Sequence, residues 1–169
     1  MKLKTAPGPV ADKILRKQIE SIQKKKMAAQ KIVSLEDFRE LQKNIERLSI
    51  LIVDDDEVMR NALKRVMSNE GFNVLSASDG IELSKVLEAS RLDMILLDVN
   101  LPWVDGFELC RLIKAHHALK NVPIIMVSAR KTQQDVESGF TAGCNDYVTK
   151  PFDVNHILEV VNKHIVRAG

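Results

Sequence analysis

Met94-Ile95-Leu96-Leu97-Asp98-Val99-Asn100-Leu101-Pro102 is the stretch whose reading decides the fold. Four large apolar residues run straight into a carboxylate, and proline closes the turn that follows. A short apolar run bounded by turn residues reads as a strand buried on both faces, as in a parallel sheet. An unpaired carboxylate inside such a strand costs several kcal/mol or more. Asp98 is therefore expected at the strand's carboxyl end, where open α/β sheets place their chemistry. A simple cap on the following turn explains this one stretch about as well.

The same signature recurs along the chain. Ile50-Leu51-Ile52-Val53 ends in Asp54-Asp55-Asp56-Glu57, and Pro123-Ile124-Ile125-Met126-Val127 ends in Ser128. Tyr147-Val148-Thr149 ends in Lys150-Pro151, and Phe72-Asn73-Val74-Leu75 completes the set of strands. Between them, helical spacing runs through Val58, Ala62, Val66 and Met67, through Ile81 to Ala89, and through Phe107, Cys110 and Ile113. Val136 and Phe140 line a further helix, and Val154, Ile157, Val161 and Ile165 line the last. Asp105-Gly106-Phe107-Glu108 has the spacing of a capping box. Five strands alternating with five helices call for a doubly wound parallel sheet with right-handed crossovers. No Walker loop and no Gly-x-Gly-x-x-Gly occurs, so a glycine-rich phosphate cradle is excluded.

Residues 1–9 read as a flexible leader and residues 10–48 as a basic helical extension; residues 49–169 form the globular body. Leu15, Ile19, Ile22, Ala29 and Val33 make a narrow heptad-like seam, a possible coiled coil, and Leu35, Phe38, Leu41, Ile45 and Leu48 a second stripe. Residues 1–48 hold 12 basic against 6 acidic side chains, and the remainder 13 against 17. The lysines read first as a solvated face, with nucleic acid and acidic membranes as lesser alternatives. The stripes need a partner helix, and a homodimer through the extension is the expectation. Hydrophobic content of 45% and charged content of 28% are those of an ordinary globular protein. No run approaches the ~18 apolar residues of a membrane span. Cys110 and Cys144 lack ligand spacing and read as core fillers in a reducing, cytoplasmic compartment.

Asp54, Asp55, Asp98, Ser128 and Lys150 all fall at strand carboxyl ends, hence on one edge of the sheet. Two carboxylates about 5 Å apart repel by roughly 3 kcal/mol at an effective dielectric near 20. Three of them need cations. Lys150 supplies one, and a hard divalent ion such as magnesium, bound through oxygen, supplies the rest. An ionised aspartate beside magnesium and a lysine is a nucleophile aimed at phosphorus.

At this point the sequence resembles the receiver domain of bacterial response regulators, the chemotaxis-regulator-like family, over about residues 50–166. Ile50-Leu51-Ile52-Val53-Asp54-Asp55 resembles its acidic pair, and Leu97-Asp98-Val99-Asn100-Leu101-Pro102 with Asp105-Gly106 its phosphoacceptor turn. Val127-Ser128-Ala129 resembles its switch hydroxyl, and Tyr147-Val148-Thr149-Lys150-Pro151-Phe152 its lysine turn. The resemblance implies a flavodoxin-like sheet of strand order 2-1-3-4-5 with Asp98 as phosphoacceptor. It implies Mg2+ on Asp55, Asp98 and the Asn100 carbonyl, with Asp54 acting through water. Lys150 and Ser128 would bind phosphoryl oxygens, and Tyr147 would follow Ser128 by turning inward on activation.

A histidine kinase or phosphotransfer protein is then the expected donor and a downstream protein the client. Weak self-catalysed phosphorylation and dephosphorylation is the only enzymology expected. The 19 residues after Lys150 suffice for one helix, so no DNA-binding output domain is expected. A receiver segment of a hybrid kinase or phosphorelay protein is the alternative. A magnesium-dependent phosphatase is more remote, because Asn100 stands where such enzymes place a second acid. Asp56 and Glu57 are expected to favour the N-terminus of the first helix. Trp103 is expected at the rim of the site, and the four histidines on helix surfaces without carboxylate partners.

Overall fold

The computed structural model describes Arg39 and residues 47–165. The leader, the heptad-like seam and the dimer expected of it lie outside the described residues, as does the second stripe apart from Leu48. From Ser49 onward the chain alternates strand and helix without exception: β1 (Ser49–Val53), α1 (Glu57–Asn69), β2 (Asn73–Ala77), α2 (Gly80–Ala89), β3 (Met94–Leu97), α3 (Gly106–Ala115), β4 (Ile124–Ser128), α4 (Gln133–Ala142), β5 (Asp146–Thr149) and α5 (Val154–His164). The five strands form one parallel sheet in the order β2-β1-β3-β4-β5. This is the expected flavodoxin-like order, with the reversal point between β1 and β3.

Period-two alternation inside each apolar strand divides the core between the two faces. Leu51, Val53, Ile95, Leu97, Ile124 and Met126 pack with Leu83, Phe107, Leu109, Cys110 and Ile113 from α2 and α3. Ile50, Ile52, Met94, Leu96, Ile125 and Val127 face the other way, onto Leu63 and Met67 of α1 and Ile157, Val160 and Val161 of α5. Fully buried side chains of this size contribute roughly 1.5–3 kcal/mol each. Leu48 packs against the second cluster, and its carbonyl accepts the Asn73 amide at 2.9 Å.

Each helix begins on a side-chain cap. Asp56, Asp79, Asp105 and Asp153 accept amides of the first turns of α1, α2, α3 and α5. The complete capping box lies at α4, where Thr132 and Asp135 bond reciprocally; Asp105 caps α3 with its own carboxylate alone. Asp56 is thus a cap, as its position suggested.

Several inward faces differ from the periodic reading. Val58 and Val154, in the first turns of their helices, are exposed. Ala62 also faces solvent, while Leu63 and Met67 carry the buried face of α1. On α4 the buried positions are Gly139 and Ala142, which turns Phe140 outward. His116 caps the end of α3 rather than lying on it. His164 has a carboxylate after all: its Nε2 lies 2.8 Å from Asp146 Oδ2, beside Lys163 Nζ at 3.0 Å from the same oxygen.

The cysteines are core fillers as expected. Both are buried and unbridged, and burial pushes the thiols up to about 11 for Cys110 and about 12 for Cys144. Such thiols stay protonated and unreactive at neutral pH.

Lys114 also points inward, from α3. Its Nζ donates to the Val122 carbonyl at 2.7 Å, to Asn145 Oδ1 at 3.0 Å and to the Lys120 carbonyl at 3.5 Å. Burial lowers the ammonium's pKa, so the three oxygens hold a cation that water no longer fully solvates. Lys114→Met should destabilise the fold by about 1–3 kcal/mol, read as a lower midpoint in urea, because those acceptors lose a charged donor.

Candidate functional site

Register brings the polar strand ends together. Val53 pairs with Leu97 and Ser128 with Thr149, so the residues that follow each strand meet at one edge. The backbone continues the ladders one step further: the Asp98 amide donates to the Val53 carbonyl at 2.9 Å, and the Lys150 amide to the Ser128 carbonyl at 2.8 Å. Gly106 lets α3 start directly over this turn. A Cβ there would sit 2.5 Å from the Asp98 carbonyl oxygen and from Val99 Cα, and backbone of that kind cannot yield.

At the centre, Lys150 Nζ lies 2.8 Å from Asp54 Oδ2 and 3.2 Å from Asp98 Oδ2. The remaining oxygens are tied to backbone, Asp54 Oδ1 by the Asp56 amide at 2.9 Å and Asp98 Oδ1 by the Asn100 amide at 3.1 Å. Asp54 and Asp98 are buried while Asp55 is exposed, and the three offer oxygens within 4.8 Å of one another. Burial raises the Asp54 carboxyl pKa despite the Lys150 hydrogen bond, which pulls it down. For Lys150 burial opposes the charge, yet the Asp54 and Asp98 carboxylates win and hold the ammonium above its ordinary range.

Three carboxylates against one ammonium leave two negative charges when all are ionised. An all-oxygen donor set open on one side suits a hard divalent cation that keeps part of its water shell. The opening is a cavity of about 540 Å³ lined by Asp55, Asn100, Trp103, Asp105 and Arg130 among others. Trp103 is at the rim, as expected; its Nε1 donates to the Ser78 carbonyl at 3.2 Å and its ring rests against Gly80.

Ser128 is fully buried, and its Oγ accepts the Arg130 amide at 3.2 Å. The Tyr147 ring lies inward against the α2–α3 side of the core, with its hydroxyl donating to the Arg130 carbonyl at 2.8 Å. All the residues expected at the site therefore gather at this edge.

Arg130 was not foreseen. Its Nε donates to Asn100 Oδ1 at 2.8 Å, one guanidinium nitrogen lies 3.5 Å from Asp105 Oδ2, and the group sits 5.6 Å from the Phe107 ring centre. It joins the loop after β4 to the turn after β3. The signal was a basic residue two positions beyond Ser128, on the edge that carries the acidic turn. Arg60 of α1 is the second omission, donating to the Asp54 carbonyl at 2.8 Å and steadying the acidic pair from behind.

Comparison with known proteins agrees with this geometry. The family model for the response regulator receiver domain matches residues 50–162. The transcriptional regulatory protein YvrH of Bacillus subtilis is 38% identical over 124 residues, 73% of this chain and 51% of YvrH. CseB of Streptomyces avermitilis, also a transcriptional regulatory protein, is 44% identical over 108 residues, 64% of this chain and 45% of CseB. The chain thus spans about half the length of the curated relatives it matches. Among solved structures, the chemotaxis protein CheY4 of Vibrio cholerae aligns with a TM-score of 0.65 at 27% identity, covering 70% of this chain and 99% of that one. The receiver domain of the sensor histidine kinase PA1611 from Pseudomonas aeruginosa, solved with magnesium coordinated in its active-site cleft, aligns with a TM-score of 0.63 at 33% identity, covering 70% and 97%.

The raised Asp54 pKa has a definite sign. The folded chain holds that proton more tightly than the unfolded chain, so the group favours folding at low pH. That contribution is lost as pH rises from the ordinary value of 3.8 through the raised one. Asp54→Asn should therefore raise the thermal midpoint at neutral pH. Millimolar magnesium should raise the midpoint of the wild type and alter Trp103 emission, and should do neither in Asp54→Asn.

Proposed function

The chain belongs to the response regulator receiver family of two-component signalling, and from that premise we propose that Asp98 is its phosphoacceptor. The observation that carries the reading is the Lys150 ammonium set between two buried carboxylates, with a third at the mouth of the cavity.

The end of β3 and the Asn100 amide hold the Asp98 carboxylate in place. One carboxylate oxygen would attack the phosphorus of a phosphohistidine on a histidine kinase or phosphotransfer protein. The phosphorus–nitrogen bond breaks, and the imidazole leaves with the electron pair. Asp55, Asp98 and the Asn100 carbonyl would hold magnesium, with Asp54 acting through a bound water. The metal, when bound, neutralises charge on the transferring oxygens. Lys150, displaced from Asp98 by the new phosphate, would pair with one phosphoryl oxygen, and the Ser128 hydroxyl would donate to another.

The output is then protein contact. Drawing Ser128 towards the phosphate tightens its loop, and Tyr147 is bonded to that same loop through Arg130. Self-catalysed gain and loss of phosphate is the only chemistry this reading asks for. A phosphatase reading needs an acid two residues beyond Asp98. That position is Asn100, whose side-chain oxygen is engaged by Arg130.

Intact-mass measurement with a small phosphodonor and magnesium tests the proposal. The wild type should gain one phosphoryl group, and the gain should vanish with chelator and in Asp98→Asn. Full labelling of Asp98→Asn would overturn the assignment. Lys150→Ala should stay folded and still bind magnesium, but lose the conformational response to phosphorylation, read as loss of the Trp103 emission change with beryllofluoride.

A further inference from the structure

Gly139 stands inside α4, where glycine is a poorer helix former than alanine because it has more backbone freedom to lose. Its backbone is not left-handed; among the described glycines only Gly71 and Gly143 have positive φ. Conformation therefore does not demand glycine at 139. Space does. A Cβ there would lie 2.8 Å from Tyr147 Cδ2 and 3.0 Å from Cε2, with Cys144 Sγ at 3.4 Å.

The Tyr147 ring thus lies edge-on against bare helix backbone, while its hydroxyl is held at 2.8 Å by the Arg130 carbonyl. The ring is fixed at both ends, by the slot and by the hydrogen bond. Arg130 in turn binds Ser128 Oγ through its amide and Asn100 through its guanidinium. The position of one aromatic ring is therefore tied to the hydroxyl and the turn that flank Asp98.

We propose that Gly139 is the positioning residue for Tyr147: by omitting a side chain, α4 opens the slot that keeps the ring inward and its hydroxyl on Arg130. The functional meaning of the slot rests on the roles proposed above for Ser128 and Tyr147, whereas the slot itself stands on geometry alone. A methyl group at 139 leaves two ways out. The ring swings to solvent and abandons Arg130, or α4 withdraws from β5 and takes the exposed Phe140 with it. The first moves a single side chain and is the route expected.

Tyr147 is the only tyrosine in the chain, so 3-fluorotyrosine labelling of the full-length protein gives one assignable 19F line. In Gly139→Ala that line should shift to the position of a solvent-exposed fluorotyrosine. The phenol's ionisation, raised by burial in the wild type, should fall towards that of free tyrosine. Thr141→Ala, an exposed change on the same helix, should move neither. A double-mutant cycle isolates the contact: Gly139→Ala should raise the thermal midpoint in a Tyr147→Leu background and fail to raise it when tyrosine is present. An unmoved 19F line, or an equal rise in both backgrounds, overturns the proposal. Phosphoryl uptake from a small donor should change rate in Gly139→Ala, and a displaced ring with unchanged uptake and lifetime also overturns the positioning role. Failure of the wild type to take up phosphate would instead refute Asp98 as acceptor, and the 19F line and the cycle would still decide the slot.

Discussion

One ammonium between two buried carboxylates sets the terms for this fold. Lys150 follows β5, four strands after the one that ends at Asp54 and two after the one that ends at Asp98, and it reaches both carboxylates because β1 and β3 are neighbours in the sheet. An order that separated β1 from β3 would take one of the two buried carboxylates away from Lys150, at a cost of several kcal/mol. The arrangement is not kept for stability. Burial still raises the Asp54 pKa against its lysine, so the folded chain pays to hold that charge. Replacing buried ion pairs by well-packed apolar groups is often neutral or stabilising. Here the ions stay where the phosphoryl acceptance proposed for Asp98 needs them.

The strain is localised by the rest of the edge. Asp54 and Asp98 each have one oxygen on Lys150 and one on a backbone amide two residues further on. Neither carboxylate can rotate without losing a bond. Arg60 holds the backbone of the acidic pair, and Gly106 brings α3 down onto the turn after Asp98. The site is therefore preorganised by main chain, with side-chain freedom left mostly to the exposed Asp55 at the mouth.

Much of this was legible in the sequence, for a physical reason. A parallel strand buried on both faces must be apolar throughout, so the first polar residue marks its end. Asp54, Asp98, Ser128 and Lys150 were readable because each follows such a run. The helices were harder. Periodicity placed Val58, Phe140 and Val154 inward, but Val58 and Val154 lie in exposed first turns, and on α4 a glycine, invisible to an apolar count, takes an inward position. Long polar side chains escaped altogether. Lys114, Arg130 and the His164–Asp146 pair act at a distance fixed by tertiary packing, which no local spacing encodes.

Of those unforeseen residues, Arg130 is also what makes the site more than a pocket. Ser128, Arg130 and Tyr147 form an unbroken chain of hydrogen bonds from the edge that carries Asp98 to the contact between β5 and α4. A hydrogen-bonded chain by itself transmits nothing; coupling requires an element with two packed states that both ends bias. Under the role proposed for Tyr147, its ring is that element. It is half-buried, amphipathic and limited on one side by helix backbone rather than by an adaptable side chain. Packed interiors yield in steps rather than smoothly, so a ring bounded in this way would leave its inward position in one step. A small movement of Ser128 would then be converted at Tyr147 into a discrete change on the surface that α4 presents.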